Sequence, residues 1–139
     1  MSQNDLPMSF EDIDVSGVEA APSFSNPPSG QYIVKVSMEQ KMVAEKRAIE
    51  IGFTLEDVIE LGTQHLEMPH EVGQKFNALA FIDKSERIPY VKRDLAMFFD
   101  SVGTQSINTM CAAIKDIRCK IVWAYDRNDY ARVISYEII

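Results

Sequence analysis

The alternation between residues 115 and 139 constrains this chain more than any other feature. Ile117, Cys119, Ile121, Trp123 and Tyr125 fall at every second position, with Arg118 and Lys120 between them, the period of a strand with one buried face. Asp126-Arg127-Asn128-Asp129 then interrupts the pattern, and four polar residues suit a short hairpin connection. Tyr130, Arg132, Ile134, Tyr136 and Ile138 resume it on one phase. The two runs predict an antiparallel pair that closes a small sheet and leaves no C-terminal tail.

Upstream, Gly30 opens the domain. Tyr32, Val34, Val36 and Met38 alternate with Ile33, Lys35, Ser37 and Glu39 in a first strand, and residues 40–47 read as a charged link. Ile49, Ile51, Phe53 and Leu55 alternate with Glu50, Gly52, Thr54 and Glu56 in a second strand that runs on through Ile59. Gly52 inside it marks a bulge or a bend. Residues 62–72 form a loop holding Pro69 and both histidines, and residues 74–82 a third strand with Phe76, Leu79 and Phe81 as its bulky members. After a turn at 83–87, Pro89 starts a helix with Val91, Leu95, Phe98, Phe99 and Val102 on one stripe, stopped by Gly103. Ser106 caps a second helix with Ile107, Met110, Cys111 and Ile114 inward. The order β-β-β-α-α-β-β makes a mainly-β, α+β protein, and the expected form is an OB-fold-like five-stranded barrel with a helical insertion.

At 139 residues, 46% of them apolar, the chain fits one domain with a real core. Residues 1–29 contain four of the six prolines and keep no apolar period. They read as a flexible acidic arm, whose Phe10, Ile13, Val15 and Phe24 dock on a partner or on the domain, or as an irregular lead-in that covers the sheet. The folded domain is then residues 30–139. No run of 18 apolar residues and no basic-then-apolar leader occurs, so a soluble, cytoplasmic protein with no membrane partner is expected. Cys111 and Cys119 are too few for a disulfide framework and suit small apolar fillers in a reducing compartment.

The net charge of -7 is uneven. Residues 1–30 carry -5, from Asp5, Glu11, Asp12, Asp14 and Glu19, with no Lys or Arg. Residues 48–74 contribute -6, so the rest of the domain is net +4. That segregation leaves room for an anionic partner beside the plain reading of a solvated acidic protein. Catalysis finds no support. His65 and His70 lie five apart in a loop without zinc spacing, Glu67 and Glu71 beside them are ordinary loop residues, and no phosphate-cradling glycine motif or Gly-x-Ser-x-Gly elbow is present. No enzyme activity, metal or cofactor is expected.

Gly30-Gln31-Tyr32 with Val34-Lys35-Val36, Gly73-Gln74-Lys75-Phe76 entering a strand, Leu95-Ala96 and Phe98-Phe99 in a helix ending at Gly103, and Lys120-Ile121-Val122 before a closing strand to Tyr136 form a recognisable set. Over residues 30–139 the chain resembles bacteriophage single-stranded-DNA-binding proteins of the OB-fold type. The resemblance implies a phage replication or recombination accessory, made in the bacterial cytoplasm, that coats single strands without sequence specificity and performs no chemistry. Phage or host replication and recombination proteins would then be partners of residues 1–29. The chain departs from single-strand protectors with an acidic C-terminal tail by carrying its acidic segment at the N-terminus.

Holding a single strand requires cations for the phosphates and exposed rings for the bases. The candidate cations are Lys35, Lys46, Arg47, Lys75, Arg118, Lys120, Arg127 and Arg132, with Lys41, Lys84 and Arg87 in a wider set. Lys35, Arg118 and Lys120 alternate with core positions and so project from the outer face. The candidate rings are Tyr125 and Tyr130, which flank the hairpin turn, Phe76, which lies on the opposite phase from Phe81, and Trp123, which shares its phase with Ile121 and reads more readily as core. Tyr32, Phe53, Phe98 and Phe99 are assigned to the core. The alternative function is a protein-interaction module, an adaptor or inhibitor acting through the acidic arm and the acidic 50–71 stretch. An exposed closing strand also invites edge pairing into a homodimer.

Overall fold

The computed structural model describes Ser16 and residues 25–139. Five antiparallel strands, β1 (Gly30–Val43), β2 (Lys46–Leu61), β3 (Lys75–Phe81), β4 (Ile117–Tyr125) and β5 (Ala131–Ile138), form one sheet in the order β3-β2-β1-β4-β5. Between β3 and β4 run a 3₁₀ turn (Ser85–Arg87) and three short helices, α1 (Ile88–Asp94), α2 (Ala96–Val102) and α3 (Ile107–Ala113). The protein is therefore mainly β with a helical insertion. No ladder joins β3 to β5, so the sheet is unclosed.

The first hairpin is longer than the alternation suggested. Residues 40–47 are not a link: β1 continues to Val43, β2 begins at Lys46, and Val43 pairs with Lys46. Ala44 and Glu45 make the whole connection, with φ of 51° and 66°. That is a two-residue turn of the kind that matches strand twist, built here without the usual glycine or asparagine.

Tyr32, Val34, Val36 and Met38 on β1 and Ile49, Ile51, Phe53 and Leu55 on β2 are all buried. Gly52 pairs regularly with Ser37, so it is not a bulge. The irregularities come later: Ile33 faces Asp57 and Val34 faces Leu55, leaving Glu56 as an extra residue, and Ile59 is the extra residue of a second shift. Each extra residue switches the buried phase and increases the local twist. The sheet therefore curls where β2 meets the first half of β1.

Curling adds rings from β4 and β5, which do not neighbour β2, to the ladder pair of Phe53 and Phe76. Phe53 on β2 lies 5.0 Å from Phe76 on β3, 6.1 Å from Trp123 on β4 and 6.3 Å from Tyr136 on β5, centroid to centroid. Phe98 of α2 meets Tyr136 edge-on at 5.0 Å, so the helices cover one side of the same core. Such pairs add about 0.5–1.5 kcal/mol each beyond their buried area. The single helix expected from Pro89 is two, because Leu95, at φ -108° and ψ 14°, breaks the run. Its stripe still faces inward, with Val91, Leu95, Phe98 and Phe99 buried. Gly103 ends α2 at a left-handed φ of 77°, and Ser106 Oγ accepts from Thr109 N–H at 3.2 Å to start α3.

Residues 1–15 and 17–24 of the proposed arm lie outside the described residues. Its last part, residues 25–29, belongs to the domain and crosses one end of the sheet as a strap. Ser25 N–H donates to Lys75 O at 2.9 Å, and Tyr32 Oη donates to Pro28 O at 2.7 Å. Pro27 O accepts from both Tyr125 Oη at 2.6 Å and Trp123 Nε1 at 3.2 Å.

Candidate functional site

β3 and β5 are the two edges of the curled sheet, and both run away from the strapped end. A groove of about 490 Å³ lies between them, lined by Ala78 to Phe81 of β3, Ala131 to Ile134 and Tyr136 of β5, and Arg87, Tyr90, Val91, Arg93 and Asp94 beside the insertion. The size is in the range of ligand sites. Alanine on both edges keeps the floor low, and the three arginines stand around it.

The arginines differ in how they are held. Arg93 lies over the ring of Tyr90, 5.3 Å from its centroid, with Nε 3.0 Å from Asp94 Oδ1. Arg87 lies 5.8 Å from the Phe81 centroid, and its Nε is 3.7 Å from Asp83 Oδ1, a buried oxygen with no hydrogen bond. Arg132 makes no ion pair among the described residues. Tyr90 is 60% exposed and Ile134 53%. Arranged this way, three permanent cations surround an apolar floor with one accessible ring, which suits a ligand that alternates anionic and flat apolar parts.

Ile134 owes its exposure to a bulge. Val122 faces Ser135 while Trp123 faces Val133, leaving Ile134 as the extra residue of β5. Tyr130, Arg132 and Ile134 therefore point outward, whereas Tyr136 and Ile138 beyond the bulge are partly buried against the core. The single phase expected for all five is corrected on this point. The Tyr136 hydroxyl has its pKa raised, chiefly by burial.

The predicted site residues are scattered over several places. Of the twelve, only Arg132 lines the groove. Lys35 and Arg118 do project from the outer face, but both are turned to Glu56, at 3.8 Å and 2.7 Å. Lys120 is half-buried and stands opposite Glu137 in the β4–β5 ladder, with no ion pair between them. Lys46 and Arg47 are exposed at the tip of the first hairpin, with Arg47 Nη2 donating to Gln40 Oε1 at 2.9 Å. Lys75 donates to Thr54 Oγ1 at 3.0 Å, and Arg127 is exposed in the last turn. Tyr130 is 72% exposed. Phe76, Trp123 and Tyr125 are corrected: all three are buried, Phe76 and Trp123 because their inward phases meet Phe53, and Tyr125 because its hydroxyl is drawn to Pro27 O. No ring face is left on them for a base.

Sequence reasoning missed Tyr90 and Arg93. Their spacing of three on a helix, off the Val91 and Leu95 stripe, is the signal that marks them as outward neighbours.

At the strapped end a second cluster joins two loops. His65 Nε2 is 2.7 Å from Asp129 Oδ1 and Nδ1 is 3.5 Å from Glu67 Oε1, with the ring against Tyr125 at 4.4 Å. The hydrogen bond to Asp129 is the main cause that raises the His65 pKa. Burial pushes the Cys119 thiol up to about 11 and raises Cys111 as well, so neither is a ready nucleophile. Among the described residues no group of three His, Cys, Asp or Glu side chains could hold a metal, and no helix is long and apolar enough to cross a membrane. No family model and no curated protein sequence matches the chain.

Proposed function

We propose that the chain is a single-stranded-DNA-binding protein with an OB-fold-like, incompletely closed barrel, and that the strand lies along the groove between β3 and β5. The observation that carries this reading is the set of Arg87, Arg93 and Arg132 around an apolar floor beside exposed Tyr90. A curled five-stranded antiparallel sheet with its helices inserted between β3 and β4 supports the barrel reading, since joining β3 to β5 is the one step left to closure. Coating of single strands during phage replication or recombination in a bacterial cytoplasm is the role that the sequence resemblance adds. Contacts to phosphate and ring faces carry no base information, so binding is sequence-tolerant.

The test is anisotropy of a labelled oligo-dT of about 30 nucleotides, longer than one fold's site, at two salt concentrations. Binding weakens steeply with salt, and Arg93→Ala and Arg132→Ala each lower the salt slope by about 1. Absence of binding at low salt removes the reading.

A second reading has its own observation. Ile59, Leu61, Leu66 and Val72 are exposed among Glu60, Glu67 and Glu71 at the far end of β2 and the following loop. Exposed apolar side chains interspersed with acids suit a protein partner. Val72→Asp would abolish such a complex and leave oligo-dT binding intact.

A further inference from the structure

The three arginines of the groove face different acids, and among the described residues Arg87 is the one whose acid is largely buried. Asp83 follows Ile82, which is buried and whose N–H donates to Arg47 O at 2.9 Å, and the turn from Ser85 to Arg87 then brings Arg87 back beside it. The Asp83 side chain is 14% exposed, and its Oδ1 is closed off from solvent without a hydrogen bond. Arg87 Nε, 3.7 Å away, is the cation that answers it. Arg93 instead pairs with the exposed carboxylate of its neighbour Asp94, and Arg132 has no acid.

A carboxylate oxygen held out of water without a hydrogen bond is costly. Taking the charge away would leave Arg87, whose side chain is 43% exposed, solvated by water, so the pair is a poor source of stability. It does restrict the guanidinium. The same group lies over the Phe81 ring, 5.8 Å from its centroid, and both Arg87 and Phe81 line the groove. With Nε nearest the acid, the two Nη groups remain for an anion, and they make no hydrogen bond among the described residues.

We propose that Asp83 is a positioning residue of the groove, whose buried carboxylate keeps Arg87 flat over Phe81 so that the Nη groups meet a phosphate of the bound strand. As a deepening of that site, the proposal rests on the groove's being the path of the strand. It also reverses a sign. An acid beside a phosphate contact repels the strand, so charge alone makes removal of Asp83 tighten binding, whereas loss of a held guanidinium weakens it.

Both measurements use the full chain. Asp83→Asn keeps the shape and removes the charge. It should weaken oligo-dT binding about fivefold and lower the salt slope by about 1, as Arg87→Ala does. In the Arg87→Ala chain the same change should leave affinity unchanged or tighten it. Tighter or unchanged binding in Asp83→Asn alone, or an equal loss in the Arg87→Ala chain, overturns the proposal. The second measurement needs no DNA. Exchange of the Arg87 Nε–H with water, followed by NMR and assigned by loss of its signal in Arg87→Lys, should be about tenfold slower than that of exposed Arg127, and should reach the Arg127 rate in Asp83→Asn. An Arg87 rate equal to that of Arg127 in the wild-type chain overturns the proposal. If Arg87 exchanges slowly but oligo-dT binds to no form, the hold of Asp83 on Arg87 stands and the strand-binding reading fails.

Discussion

His65 and Asp129, 64 positions apart in sequence, meet at 2.7 Å and clasp the loop after β2 to the turn between β4 and β5. Because the carboxylate favours the charged imidazole, the His65 pKa is raised above its ordinary 6.5. A group held above its unfolded pKa adds stability in full below about pH 6.5 and loses it as pH rises through the folded value. His65→Gln should therefore lower Tm most near pH 5.5 and hardly at all near pH 8 (about), with Asp129→Asn giving the same profile. Thermal melts across that range check it, and a pH-independent difference would show that the clasp does not depend on charge.

Glu56, the extra residue in β2, is shared by Lys35 and Arg118 on the outer face. Lys35 and Arg118 are exposed and Glu56 partly so, so Glu56→Gln should change stability by about 1 kcal/mol or less in urea unfolding. Its effect on oligo-dT binding separates two surfaces. If the strand follows the groove, freeing Lys35 and Arg118 leaves affinity within about twofold at moderate salt. A large gain would move the strand onto the outer face.

Trp123 is 1% exposed, whereas Tyr90 is 60% exposed. Selectively excited Trp123 emission should accordingly change little when oligo-dT saturates the protein. Tyr90→Ala should cost about 1–3 kcal/mol of binding, measured by anisotropy, if a base stacks there. Wild-type affinity in Tyr90→Ala would remove the ring from the site.

The turn at Ala44 and Glu45 holds two side-chain-bearing residues in left-handed backbone. Each pays a steric cost there that asparagine or glycine largely avoids. Ala44→Asn with Glu45→Gly should raise stability by about 1 kcal/mol in urea unfolding, with β1 and β2 unchanged in register.

The five strands and the inward stripe of the helices were legible because one-sided burial leaves a period, as Tyr32 to Met38 and Ile117 to Tyr125 show. What escaped was what disturbs the period locally. The bulges at Glu56, Ile59 and Ile134 are set by pairing to neighbouring strands, which no single strand's composition reveals. The tight turn at Ala44 lacked its usual residues and so read as a longer link. Among the candidate cations, outward phase was right for Lys35 and Arg118, yet Glu56 reaches them only because a bulge redirects it. The groove was invisible for a related reason: it joins residues from both sheet edges and α1, and the curl that aligns them is a tertiary property.

Pro27 lends its carbonyl oxygen to the indole N–H of Trp123 and to the Tyr125 hydroxyl together. A proline has no N–H of its own to offer a competing bond, so Pro27 meets the core by acceptance alone, while the N–H groups of Ser25 and Ser29 tie down the strap on either side. The chain has one tryptophan, and its emission is therefore a built-in gauge of that seating. Any pull on the N-terminal side strong enough to unseat residues 25–29 would admit water to the indole and shift its light toward the red, with no label attached.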